Sequence, residues 1–159
     1  VASLVGSEMC IRDRYRVGSM VVMEDGICKP SMYRKFHIKS FEGQDDFRSM
    51  EEVLFRRLKR LNKNNENDKS FKKTPDLILV DGGKGQLSSV KGVIDHFELD
   101  IDLVAIAKKE EELFLPNRKE PYLLNKDSEA LFLLQNIRDE AHRFALQENR
   151  RLRAKELST

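Results

Sequence analysis

Tryptophan is absent from this chain, and only two cysteines and four prolines occur in its 159 residues. Cys10 and Cys28 are too few and too far apart for a structural zinc site, and one pair is a poor staple for a domain of this size. They read as two reduced thiols. Long hydrophobic runs are missing too: nothing approaches the ~18 apolar residues of a membrane span. There is no basic, apolar, small-residue leader of the secretory kind, so the expected address is the cytoplasm. An excess of one charge is also lacking. Twenty-nine Lys and Arg face 27 Asp and Glu, a net charge of +2, so bulk electrostatics does not announce a nucleic-acid partner.

What is present is ordinary in amount and uneven in placement. Hydrophobic residues make up 40% and charged residues 35%, enough for one domain with a core and too little chain for two. Basic residues gather at Arg56–Lys63, Lys69–Lys73 and Arg138–Lys155, and acids at Asp45–Glu52 and Glu110–Glu112. A local basic face can bind phosphates on a nearly neutral protein, although such runs are more often solvated helix faces.

The periodicities predict an order of elements. Ser19–Glu24 reads as a strand, Asp25-Gly26 as a hairpin turn, and Met32–Lys39 as the returning strand. Asp45 or Asp46 caps a helix over Phe47–Leu61, with Met50, Val53, Leu54, Leu58 and Leu61 at helical spacing. Asn62–Thr74 is polar and reads as a mobile surface connection. Asp76–Val80 is a continuous apolar run that reads as a strand buried on both faces, followed by a helix over Gly85–Phe97 and a second buried strand at Leu103–Ala107. Glu111–Leu124 is read as an insertion with a short hairpin at Pro116-Asn117. Ser128–Gln147 carries an apolar stripe of helical period. The remaining residues, 148–159, read as a frayed basic tail. The order implies an α/β fold: a mixed sheet, with an antiparallel hairpin and parallel strands, flanked by helices.

In such sheets chemistry collects at the carboxyl ends of the buried strands, which singles out Asp81, just before Gly82-Gly83-Lys84-Gly85-Gln86. Its oxygens suit a hard divalent cation, although an aspartate there can equally cap the next helix. The glycine cluster has neither the length nor the hydroxyl of a P-loop, and the dinucleotide fingerprint is missing. Lys84 is placed to meet an anionic substrate. His142, in Arg138-Asp139-Glu140-Ala141-His142-Arg143, shares a helix face with Arg138 and Asp139, and Asp139 is placed to orient its ring. His37 and His96 lack such neighbours and read as structural. Helix capping accounts for Asp45-Asp46 on local grounds, and Arg56, Arg57, Lys59 and Arg60 form a basic helix side that could face phosphates.

Five stretches together resemble a known family: Gly18-Ser-Met-Val-Val22; Tyr33-Arg-Lys-Phe36; Asp45-Asp-Phe47 with Ser49-Met50; Pro75-Asp-Leu-Ile-Leu-Val-Asp-Gly-Gly-Lys-Gly-Gln86; and Leu134-Gln-Asn-Ile-Arg-Asp-Glu-Ala-His-Arg-Phe144. They are similar to the C-terminal endonuclease domain of the UvrC family, from about Arg16 to Arg153. The resemblance implies an RNase H-like fold and metal-dependent hydrolysis of a DNA strand on the 5′ side of a lesion, in bacterial nucleotide excision repair. It implies a catalytic Asp-Asp-His set using Mg²⁺ or Mn²⁺, with Asp81 as the second aspartate, His142 as the histidine, and Asp46 as a further acid linked to incision. Lys84, Gln86, Arg138 and Arg143 are the implied DNA-binding residues. The implied partners are damaged double-stranded DNA and UvrB, with UvrA upstream, and no membrane.

The chain departs from that pattern at its start. The family's first catalytic aspartate lies about a dozen residues before the Ser-Met-Val-Val segment. Counting back from Met20 reaches Ser7, where no such acid stands. Ser3–Arg14 resembles translated adapter sequence, so residues 1–14 are expected to be foreign, 15–147 to form the nuclease domain and 148–159 the tail. The expectation is of a family fragment lacking one metal-binding carboxylate, without the family's other nuclease domain, its UvrB-binding segment or its helix-hairpin-helix tail. Two competing readings stay open: a non-cutting DNA-binding remnant, and a different RNase H-like nuclease such as a junction resolvase or an RNA-strand nuclease.

Overall fold

Along Arg16–Glu24 (β2) the side chains divide by parity, as a pleated strand requires. Met20 and Val22 enter one core, Val21 and Met23 the other. The same division holds in Leu77–Asp81 (β5), where Ile78 and Val80 join the first core and Leu79 the second. A sheet with apolar residues on both faces must be covered twice. The computed structural model, which describes residues 2–9, 16–38, 46–61, 67–107 and 112–158, shows both coverings. On one face lie Asp46–Leu61 (α1), Lys69–Lys72 (α2) and Lys84–His96 (α3); on the other lies Glu129–Leu157 (α4).

The remaining strands are Ala2–Met9 (β1), Ile27–Cys28 (β3), Arg34–His37 (β4), Asp102–Ile106 (β6), Glu112–Phe114 (β7) and Tyr122–Leu123 (β8). Their order is β3-β2-β1-β5-β6-β7-β8, with β4 also on the outer edge of β2. β1 pairs antiparallel with β2 and parallel with β5, and β5 pairs parallel with β6. This is the mixed sheet expected from the sequence. Asp25 (φ 52°) and Gly26 (φ 78°) both take positive φ between β2 and β3, the requirement of a two-residue hairpin turn.

Four local expectations are revised. The returning strand is not continuous from Met32: Pro30–Met32 forms a short 3₁₀ turn that separates β3 from β4, since proline favours such a helical start and offers no ladder N–H. The connection after α1 lies partly outside the described residues, but its later part is anchored rather than a loose surface run. Phe71 is only 2% exposed, edge-on to Phe36 at 5.9 Å and beneath the Arg60 guanidinium at 3.8 Å. That anchoring uses the basic side of α1. Arg57 is buried and donates to the carbonyls of Phe71 (3.1 Å) and Lys73 (2.7 Å), so it does not face phosphates.

The fourth revision concerns the end of the chain. α4 runs without a break through 148–157, a rod about 43 Å long at 1.5 Å per residue. Glu148 explains the continuation. It is buried against the sheet side of the helix, pairs with Lys35 of β4, and accepts from Arg151 one turn on at 3.1 Å. Burial alone would raise its pKa, but the hydrogen bonds from Lys35 and Arg151 outweigh that and hold it below the usual carboxylate range. Within the expected insertion, Glu112–Phe114 and Tyr122–Leu123 pair as a short antiparallel hairpin, β7–β8, as expected.

Candidate functional site

Asp81 is the last residue of β5, a strand whose Ile78, Leu79 and Val80 are fully buried. Alternation along the strand puts Asp81 on the same face as Leu79, the α4 face. A carboxylate at this point is carried by a strand buried on both faces, yet is itself only partly buried. Behind it the chain turns at once into α3. Gly82 N–H still extends the ladder to Ile106 O at 3.0 Å, and Gly83 N–H donates to Gln86 Oε1 at 3.0 Å. A Cβ on Gly82 would meet the Gln86 side chain at 2.7 Å, so that close return needs glycine. Gln86 therefore holds the turn after Asp81, while Lys84 stands exposed at the first position of α3 and donates to the Lys119 carbonyl.

α4 is positioned by its middle. Ile137 and Ala141 pack against Val21, Leu79 and Ile106, fixing which side of the helix meets the sheet. At about 3.6 residues per turn, Glu140 and Phe144 then lie on one flank and Arg138 and His142 on the other. The first flank is pinned to the β3–β4 edge. Tyr33 donates its hydroxyl to Glu140 Oε2 at 2.7 Å and meets the Phe144 ring edge-on at 5.3 Å. A hydrogen bond from Arg143 is the main cause lowering the Glu140 pKa, and burial followed by the Glu140 bond pushes the Tyr33 hydroxyl up. The opposite flank, with Arg138 and His142, is thereby turned away from the β3–β4 edge. His142 is exposed there, and Arg138 carries a buried Nη1 with no hydrogen-bond partner among the described residues.

Strand parity thus puts Asp81 on the α4 face, and Arg138 and His142 share one flank of α4, while Lys84 opens α3 on the other layer of the sheet. Arg143 is not with Arg138 and His142: it is tied to Glu140 by bonds of 2.6 and 3.0 Å on the far flank. Asp46 opens α1, on the opposite layer, and its side chain lies outside the described residues, as do Asp45 and Cys10. His96 packs its ring against Phe55 and Phe97, a structural role. The Tyr33–Glu140–Arg143 linkage that orients α4 is missed by sequence reasoning. Its only signal is a tyrosine, rather than a phenylalanine, at an apolar strand position, with an acid on the helix far along the chain.

The strand register defines what stands beside Asp81. Val5 pairs with Val80, so one step further along β1 Gly6 is level with Asp81, on the α4 face. Counting along the sequence reached Ser7, one residue on and of the opposite parity. Among the described residues no three His, Cys, Asp or Glu side chains come together to hold a metal ion. Asp81 and His142 fit a divalent cation in kind, as a hard oxygen donor and an imidazole, but not in number.

A mixed sheet with an antiparallel β1–β2 hairpin, parallel β1, β5 and β6, and an acid at a central strand end facing a long helix defines an RNase H-like α/β domain. Residues 10–146 match the family described as the UvrC RNAse H endonuclease domain, and the chain belongs to that family. Among curated relatives, it is 49% identical over 131 residues to the UvrABC system protein C of Dehalococcoides mccartyi, covering 82% of this chain and 21% of the relative. It is 46% identical over 141 residues to that of Methanococcus maripaludis (89% and 26%), and 43% over 160 residues to that of Streptomyces avermitilis (87% and 24%). The chain therefore spans about a fifth to a quarter of these relatives. No helix among the described residues is long and apolar enough to cross a membrane.

Proposed function

We propose that this domain cuts the phosphodiester backbone of DNA and supplies the 5′ incision of nucleotide excision repair. Its substrate would be damaged double-stranded DNA, and its partner UvrB, with UvrA acting upstream. The observation that carries the reading is which side of the sheet each group takes. A carboxylate at the tip of a buried strand and an imidazole on the packed helix are directed to one face by strand parity and by the Tyr33–Glu140 anchor.

Asp81 and His142 would hold a divalent cation, Mg²⁺ or Mn²⁺, which when bound polarises a phosphoryl oxygen and generates hydroxide near neutral pH. Lys84 and Arg138 would bind the phosphate, and the buried Nη1 of Arg138 is a donor suited to an anion. Gln86 supports this indirectly by holding the glycine turn behind Asp81. Arg143, engaged with Glu140, would contribute to DNA binding mainly by orienting the helix, and Asp46 as a further acid. Because Gly6 stands level with Asp81, the chain as it is should bind the cation weakly and cut slowly.

The test is nicking of supercoiled DNA with Mg²⁺ or Mn²⁺ by the chain carrying Gly6→Asp. We expect nicking at least a hundredfold above the unaltered chain, and its loss in both Asp81→Asn and His142→Ala. Nicking that survives both substitutions refutes the assignment. Salt-sensitive DNA binding with no cutting even in Gly6→Asp favours the second reading, a DNA-binding remnant, which the strand position at Gly6 supports.

A further inference from the structure

Beside the turn that follows Asp81, the outer face of α3 and the β7–β8 connection enclose a groove of about 670 Å³. It begins at Lys84, three residues past Asp81, and adjoins a second hollow of about 520 Å³ through shared Lys91, Leu115, Pro116 and Asn117. Its charge is one-sided. Lys84, Lys91, Arg118 and Lys119 line it, against a single carboxylate, Asp95, which is already paired with Lys91 at 2.8 Å. Arg118 and Lys119 are exposed and have no acidic partner among the described residues. Arg118 rests over the Tyr122 ring at 5.0 Å, which holds a flexible side chain in place.

Three further features suit an extended polyanion rather than a small ligand. The groove is open along the helix, and Leu87, Leu115 and Pro116 give it apolar lining that can lie against sugars. Gly92 lines it with nothing within 4 Å of where a Cβ would stand, so a backbone can approach α3 closely. Lys84 and Lys91 are separated by about 10 Å along the helix axis, roughly three steps of a strand that rises 3.4 Å per phosphate.

We infer that this groove is a track for one strand of the nucleic acid, gripping its phosphates as the strand leaves Asp81. The β7–β8 connection is then a DNA-contacting element, with Arg118 and Lys119 its principal cations and Lys84 the hinge between track and site. The inference rests on the nuclease reading above, but its test separates the two. Binding of a fluorescent duplex is measured across a salt series without divalent cation, so that cutting plays no part.

The double variant Arg118→Glu/Lys119→Glu, in an exposed turn, should bind at least tenfold more weakly at low salt and lower the salt slope by about two. An equal charge change at exposed Lys72 and Lys155, away from the groove, should stay within about threefold of the unaltered chain. Equal losses in the two double variants, or no loss in the first, overturn the track while leaving the nuclease reading in place. If the unaltered chain binds no duplex at low salt, both fall.

Discussion

Gly18 offers a sharp test of how α1 is seated on the sheet. A Cβ at that position would lie 2.2 Å from Val53 Cγ2, and 3.6 Å from both Val53 Cβ and Ile38 Cδ1. Ordinary carbon contacts start near ~3.5 Å, so the Val53 methyl would have to move by more than about an ångström. Val53 is fully buried in α1, and a valine in a helix has essentially one comfortable rotamer. Relief means an off-rotamer Val53, about 0.5–1.5 kcal/mol, or a helix lifted from β2 that loosens the neighbouring core. Together these suggest that Gly18→Ala costs about 1–3 kcal/mol. For a chain of this length that corresponds to a fall in Tm of roughly 3–10 °C.

The matched control is Gly92→Ala, in the middle of α3 with open space around it. Removing a helical glycine there should stabilise by about 0.5–1 kcal/mol, a rise in Tm of roughly 1–4 °C. Thermal unfolding followed by far-UV circular dichroism reads both. A Gly18→Ala/Val53→Ala cycle should show a favourable coupling of about 1–2 kcal/mol, because the second substitution removes the clashing methyl. If Gly18→Ala melts with the parent, or the two alanines shift Tm in the same direction, the described seating of α1 is wrong.

Two further outcomes follow from buried charges. Glu148 has a pKa lowered from its ordinary 4.5. The stability it contributes is therefore present above that ordinary value and is lost as pH falls through the lowered folded one. Glu148→Gln should cost about 1–2 kcal/mol at neutral pH, discounted for the partly exposed Lys35, and should flatten the loss of urea resistance below pH 4.5. Parallel acid curves for parent and variant would remove Glu148 from the account. Arg57→Met keeps the apolar stem but loses both carbonyl contacts, and should destabilise by about 2–4 kcal/mol. Its DNA affinity in the folded state should not change. Weakened binding at an unaltered Tm would restore Arg57 to the phosphate-facing side.

Local pattern determined a good deal of this protein. The α1 and α3 spans, the Asp25-Gly26 turn, the doubly apolar β5 and the β7–β8 hairpin follow from periodicity and turn chemistry, which act between near neighbours. Asp81 was legible for the same reason, since a carboxylate ending an apolar run marks a strand tip. What local pattern could not determine was which charges are used up by the fold. Arg57 reads as surface by composition, but the carbonyls that bury it lie on the following segment. Residues 148–157 read as a frayed tail because Lys35, which holds Glu148, is far away in sequence. Nor does the chain announce that Arg143 and Arg138 face opposite ways. Tyr33 and the Ile137–Ala141 stripe decide that by fixing the rotation of α4. Burial and ion pairing depend on distances closed only when the sheet and helices pack, so tertiary structure alone determined which basic residues were left to meet a ligand.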